Sequence, residues 1–110
     1  MQESTFFHEF WHIIQFYLYN NNQYYREKVL PKFVKLHNES IKIYKSDLKN
    51  KTNNWKKTVV RKYSLKKVEE DWATLFENLN DTEKFKLMYE KKWKIYKEKI
   101  DIIKNYIYFY

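Results

Sequence analysis

The 110-residue sequence has no cysteine, no glycine and a single proline, Pro31. Without cysteine there are no disulfides, no thiolate nucleophile and no cysteine-ligated zinc. Without glycine the tight, positive-φ turns that small sheet proteins need are hard to build. The chain therefore reads as all-α, with helices joined by Asn- and Ser-containing loops. No stretch approaches the roughly 18 consecutive apolar residues of a membrane-spanning helix. The opening residues, Met1 to His8, lack the basic start and small-residue cleavage site of a signal peptide, so no targeting signal is expected in this chain. What is abundant is aromatic: four Trp, eleven Tyr and eight Phe, enough apolar area for the core of one modest domain spanning residues 1–110.

Apolar periodicity predicts a three- to four-helix antiparallel bundle. A first helix starts near Ser4 or Thr5 and carries Phe7, Phe10, Trp11, Ile14, Tyr17 and Leu18 on one stripe. Asn20 to Asn22 form a weak break. A second stripe runs through Tyr25, Val29, Phe33, Leu36, Ser40 and Ile43, with a kink or helix boundary expected at Pro31. Residues 46–54 are polar and read as the main loop. A third helix, capped by Asn53 or Asn54, turns Trp55, Val59, Tyr63, Val68, Trp72, Leu75, Phe76 and Leu79 inward. A fourth, capped by Asp81 or Thr82, follows the register Phe85, Met88, Tyr89, Trp93, Tyr96, Ile100, Ile103 and Ile107. Trp11, Trp55, Trp72 and Trp93, with Phe76 and Phe85, are the expected aromatic core.

The charge is unevenly spread. Twenty Lys against two Arg, with ten Asn and one Ala, is the usage of A/T-rich codons, so lysine number alone argues little. Residues 1–41 carry four basic and four acidic residues, and residues 68–110 eight and nine. Residues 42–67 carry ten basic residues against Asp47 alone, a local net charge of +9. Lys57 and Arg61, and likewise Lys62 and Lys66, are one helical turn apart; Lys56 and Lys67 flank them and Lys49 and Lys51 precede them. This predicts a basic face that takes an acidic protein segment by electrostatic steering, against the plainer reading of a solvated helix face. Nucleic acid is the weaker alternative, because Lys dominates over Arg and no groove-reading motif is present.

His8-Glu9-Phe10-Trp11-His12 matches H-E-x-x-H, in which two His one turn apart ligate zinc and the Glu activates water. A small zinc hydrolase is thus a second function class, with a third ligand sought in His37 or a carboxylate such as Glu39. The pattern lacks the strand that would hold a peptide substrate, and Phe10 and Trp11 fit a core stripe. The plainer expectation is two histidines on the edge of an amphipathic helix, with no cofactor and no catalysis.

The aromatic positions also carry a family resemblance. Trp11 in the first helix is followed by Tyr25, Leu30 and Leu36, and Tyr44 leads across a polar stretch to Trp55-Lys56-Lys57. Glu69-Glu70 then precedes Phe76, and Phe85 and Trp93 close the pattern. Over roughly residues 6–100 this resembles the PHIST (PRESAN) domain of exported malaria-parasite (Plasmodium) proteins, with Pro31 standing where that family has uninterrupted helix. Glu90-Lys91-Lys92-Trp93-Lys94 is similar, more loosely, to parasite tryptophan-rich antigens. The PHIST resemblance implies a non-enzymatic helical domain in the host erythrocyte, in its cytoplasm or at the membrane skeleton. It further implies an acidic partner: the cytoplasmic tail of the variant surface adhesin, or a host cytoskeletal protein.

Overall fold

The computed structural model describes the backbone of residues 3–80 and 82–108, and their side chains apart from those of residues 3–5, 82, 84, 88, 107 and 108. Five α-helices appear among the described residues, and no strand. They are α1 (Glu3–Asn21), α2 (Leu30–Asn50), α3 (Val68–Leu79), α4 (Thr82–Tyr89) and α5 (Lys94–Tyr108). The chain is an all-α bundle. None of these helices is long and apolar enough to cross a membrane.

The short helix α3 is the hub. From Asp71 to Asn78 every residue is buried, and α1, α2, α4 and α5 all pack on it. Trp11 of α1 stacks on Trp72 with ring centroids 4.9 Å apart and planes 7° from parallel. Phe33 of α2 lies 4.8 Å from the same indole, and Tyr25 meets it edge-on at 5.7 Å. Ile100, Ile103 and Tyr96 of α5 complete the core. Each of these large side chains gains a few kcal/mol from burial, which is what holds an otherwise polar chain together.

A buried helix needs internal partners for its polar groups, and α3 draws them from its neighbouring elements, although Asp71 Oδ1, Trp72 Nε1 and Asn78 Oδ1 have none among the described residues. Asp71 Oδ2 meets Lys99 Nζ of α5 at 2.7 Å and His37 Nδ1 of α2 at 2.8 Å. Thr74 Oγ1 pairs with Ser64 Oγ at 2.7 Å, and Asn78 Nδ2 donates to Tyr96 Oη at 2.6 Å. Glu77 faces His8 and Arg61. Lys99, wholly buried, also donates to Ser40 Oγ and to the Thr58 carbonyl.

The structure redraws several expected boundaries. After α1 the Asn22 Oδ1 accepts from the Tyr25 amide at 2.9 Å, at the start of the next helical run. Two residues into that run comes one π-helical turn, Tyr25–Val29, in which the Leu30 amide bonds to the Tyr25 carbonyl five residues back. Pro31 follows in the first turn of α2, where a missing amide is best tolerated. The loop expected over 46–54 is largely helix: α2 continues to Asn50. It ends on Lys51, which adopts a left-handed conformation (φ 57°, ψ 44°) in a chain that has no glycine to place there.

The third helix is much shorter than its pattern suggested. Residues 54–57 and 62–65 are separate 3₁₀ turns, and α3 begins only at Val68. Thr58, Val59 and Val60 are a β-branched run, unfavourable in a helix, and Arg61 is extended (φ −156°, ψ 169°). The fourth helix is split into α4 and α5. Between them the Trp93 amide bonds to the Lys57 carbonyl at 2.8 Å, and Lys92 Nζ donates to the carbonyls of Lys56 and Val59. The side chains of Ser4, Thr5, Met88 and Ile107, and the proposed cap at Asp81, lie outside the described residues.

The aromatic core is also corrected. Trp11, Trp72 and Phe76 are buried in it, and Phe85 packs half-buried against it. Trp55 is only half-buried, edge-on to Tyr44, and Trp93 is 39% exposed. On α1 the buried side runs through His8 and Trp11, leaving Phe10 and Tyr17 of the expected stripe exposed.

Candidate functional site

Two regions of the surface carry chemistry. The first is a groove of about 680 Å³ between the C-terminal half of α2 and the turn at 62–65. Ile41, Tyr44 and Leu48 come from one side of it, and Tyr63 and Leu65 from the other. Leu48 is 65% exposed and Tyr63 46%, so this apolar floor is open to solvent. Lys45, Lys62 and Lys66 rim it. Lys62 Nζ stands 5.8 Å over the Tyr44 ring and Lys66 Nζ 5.5 Å over Tyr63, so the ammonium groups and rings share one surface.

The basic residues expected on one helix face are thus distributed differently. Lys62 and Lys66 reach the groove across a 3₁₀ turn. Arg61 is committed elsewhere: its guanidinium binds Glu77 in a fork, with Nη1–Oε1 at 3.0 Å and Nη2–Oε2 at 3.3 Å. Lys56 lies over Trp55 and Lys57 over Trp93, at 5.9 and 5.4 Å. Lys49, Lys51 and Lys67 are exposed outside the groove lining. Lys45, with the floor residues Ile41 and Leu48, was not singled out from sequence, because it sits on a segment read as part of the second helix and the following loop. Its signal is visible in retrospect: Ile41, Tyr44, Lys45 and Leu48 follow helical spacing.

The single acid of the basic segment, Asp47, is used structurally. Burial pushes its carboxyl up, but hydrogen bonds from Thr52 Oγ1 and the Trp55 amide (2.7 Å) outweigh that and hold it below the ordinary range. It thereby ties the α2 C-terminus to the first 3₁₀ turn and leaves the net charge of the outer surface to the lysines.

The second region is where α1 packs on α3. His8 is buried, and His12 one turn later is partly exposed. Their Nε2 atoms are 3.2 Å apart. Glu70 of α3 places Oε2 2.9 Å from His8 Nε2 and Oε1 3.0 Å from His12 Nε2. On the other face of the His8 ring, Nδ1 meets Glu77 Oε2 at 3.1 Å. The pair expected from H-E-x-x-H therefore converges, but its partner is Glu70, since His37 lies against Asp71 instead. Glu9 is exposed, and no hydrogen bond or ion pair links it to the two imidazoles among the described residues. The carboxylate that a zinc hydrolase would use is not at the histidines.

No protein-family model, no curated protein and no solved structure matches this chain.

Proposed function

We propose that this protein is a non-enzymatic interaction module that takes an acidic, amphipathic protein segment into the groove between α2 and the 62–65 turn. One observation carries this reading: an open apolar floor of Ile41, Tyr44, Leu48 and Leu65 is bordered by three lysines with no carboxylate in its lining. A segment with spaced aliphatic side chains would bury them on that floor, and its Asp or Glu residues would meet Lys45, Lys62 and Lys66. Desolvated apolar contact supplies affinity, and the charges supply association rate and selectivity against basic partners. The PHIST resemblance supports the same class of partner, the acidic adhesin tail or an erythrocyte membrane-skeleton protein.

The test is binding of a labelled synthetic peptide of repeating Glu and Asp with Leu every third or fourth residue, followed by fluorescence anisotropy. Combined Lys45→Glu, Lys62→Glu and Lys66→Glu changes should weaken binding more than about tenfold, or about 1.4 kcal/mol. Lys91→Glu, an exposed charge outside the groove, should leave it unchanged. Raising salt from about 0.1 to 1 M, which shortens the screening length from about 10 to 3 Å, should weaken it too. Binding that ignores the triple reversal and the salt would sink the proposal. So would an equal loss from Lys91→Glu.

A further inference from the structure

We infer that His8, His12 and Glu70 form a zinc site that clamps α1 to α3, with Glu77 and Arg61 as its outer support. The ligand atoms of the three residues lie within 4.8 Å of one another. Tetrahedral zinc with bonds of about 2.0–2.1 Å holds neighbouring ligand atoms about 3.3 Å apart. The two Nε2 atoms are 3.2 Å apart, the spacing of tetrahedral neighbours, and one carboxylate faces both, with Glu70 Oε2 2.9 Å from His8 Nε2 and Oε1 3.0 Å from His12 Nε2.

Glu77, itself held by the Arg61 guanidinium, stands 3.1 Å from His8 Nδ1, so that with zinc on Nε2 the Nδ1–H would donate to it. Glu77 holding His8 Nδ1–H is the outer-shell arrangement that orients metal-bound imidazoles and raises their basicity.

The ion would tie residues 8 and 12 to a helix more than fifty positions away. His12 and Glu70 are on the solvent side of the cluster, their side chains 28% and 14% exposed. That leaves room for water or a further ligand in the fourth position. Glu9 has no part in it, which separates this clamp from the hydrolytic use of H-E-x-x-H.

The experiment uses the intact chain stripped with a chelator and then titrated with Zn²⁺ alone, in competition with a chromophoric chelator, and with Co²⁺ alone. One ion per chain is expected, with a dissociation constant for zinc below about 1 µM. Cobalt should show the intense visible bands of four-coordinate geometry. His12→Ala and the isosteric Glu70→Gln should each weaken zinc binding more than about a hundredfold. Glu77→Gln should cost about ten- to a hundredfold, and Glu9→Gln nothing. Zinc should raise the Tm of the parent chain and leave that of Glu70→Gln in place. Absence of stoichiometric binding in the parent chain overturns the site whether or not any variant folds. Binding unaltered in both His12→Ala and Glu70→Gln, with helical content intact, overturns it as well.

Discussion

The most exposed commitment of this fold is a buried ion pair. Lys99 and Asp71 are both inaccessible to solvent, 2.7 Å apart, in the middle of the aromatic core. Replacing Lys99 by Met keeps the volume of the stem and removes the ammonium. Asp71 Oδ2 then retains His37 alone, Oδ1 is already without a hydrogen-bond partner, and Ser40 Oγ and the Thr58 carbonyl lose their donor. Breaking a buried pair from one side costs about 3–5 kcal/mol, out of a total stability of about 5–15 kcal/mol for a domain. The Tm should fall by at least ~12 °C. The double variant Lys99→Met, Asp71→Leu should lose less than the sum of the two single changes, with a coupling of about 2–3 kcal/mol. Urea unfolding followed by far-UV circular dichroism measures all four corners of this cycle. A second readout is the pH dependence. Burial, partly offset by Asp71, holds the Lys99 ammonium below the ordinary lysine range. The folded chain then binds that proton less tightly than the unfolded chain. Stability therefore gains from this group as pH rises from the lowered value to the ordinary one, and Lys99→Met removes the gain. A cost below about 1 kcal/mol, or single changes that add without coupling, would show that the pair is not the buried, shared contact described.

Three other outcomes follow from the packing. Trp11→Ala removes the indole stacked on Trp72 and should cost about 3–5 kcal/mol in the same urea assay, because α1 meets α3 through this contact. Lys51→Gly should raise stability by about 1 kcal/mol, since the left-handed backbone at the end of α2 suits glycine and strains any other residue. Burial raises the Tyr96 hydroxyl to about 12 and Tyr25 further still, so the folded chain keeps protons that the unfolded chain gives up. Stability should drop as pH climbs above about 10. Tyr96→Phe should flatten that drop while costing about 1 kcal/mol near neutrality for the lost Asn78 bond.

The sequence alone determined the class of structure and the place of the charge. A chain without glycine and rich in aromatics at three- and four-residue spacing has helices as its economical solution. The excess of lysine over acid between residues 42 and 67 is a property of composition that no packing can move. The H-E-x-x-H spacing likewise guaranteed that His8 and His12 would share a helix face. What pattern could not decide was rotation and partnership. Helix α1 is apolar on several sides, so periodicity favoured a stripe through Phe10 and Tyr17, whereas docking on Trp72, Glu70 and Glu77 turned His8 and Trp11 inward. The basic residues from Lys56 to Lys67 were expected on one continuous helix, but β-branched residues at 58–60 and the extended Arg61, paired with Glu77, break it into turns. The same reach brings Lys62 and Lys66 beside Lys45 of α2. Glu70 became the third member of the histidine cluster only because α3 packs along α1, across more than fifty residues of chain. Local physics sets which segments are helical; which faces are buried, and which distant acids meet which bases, is settled only when the helices compete for the same core.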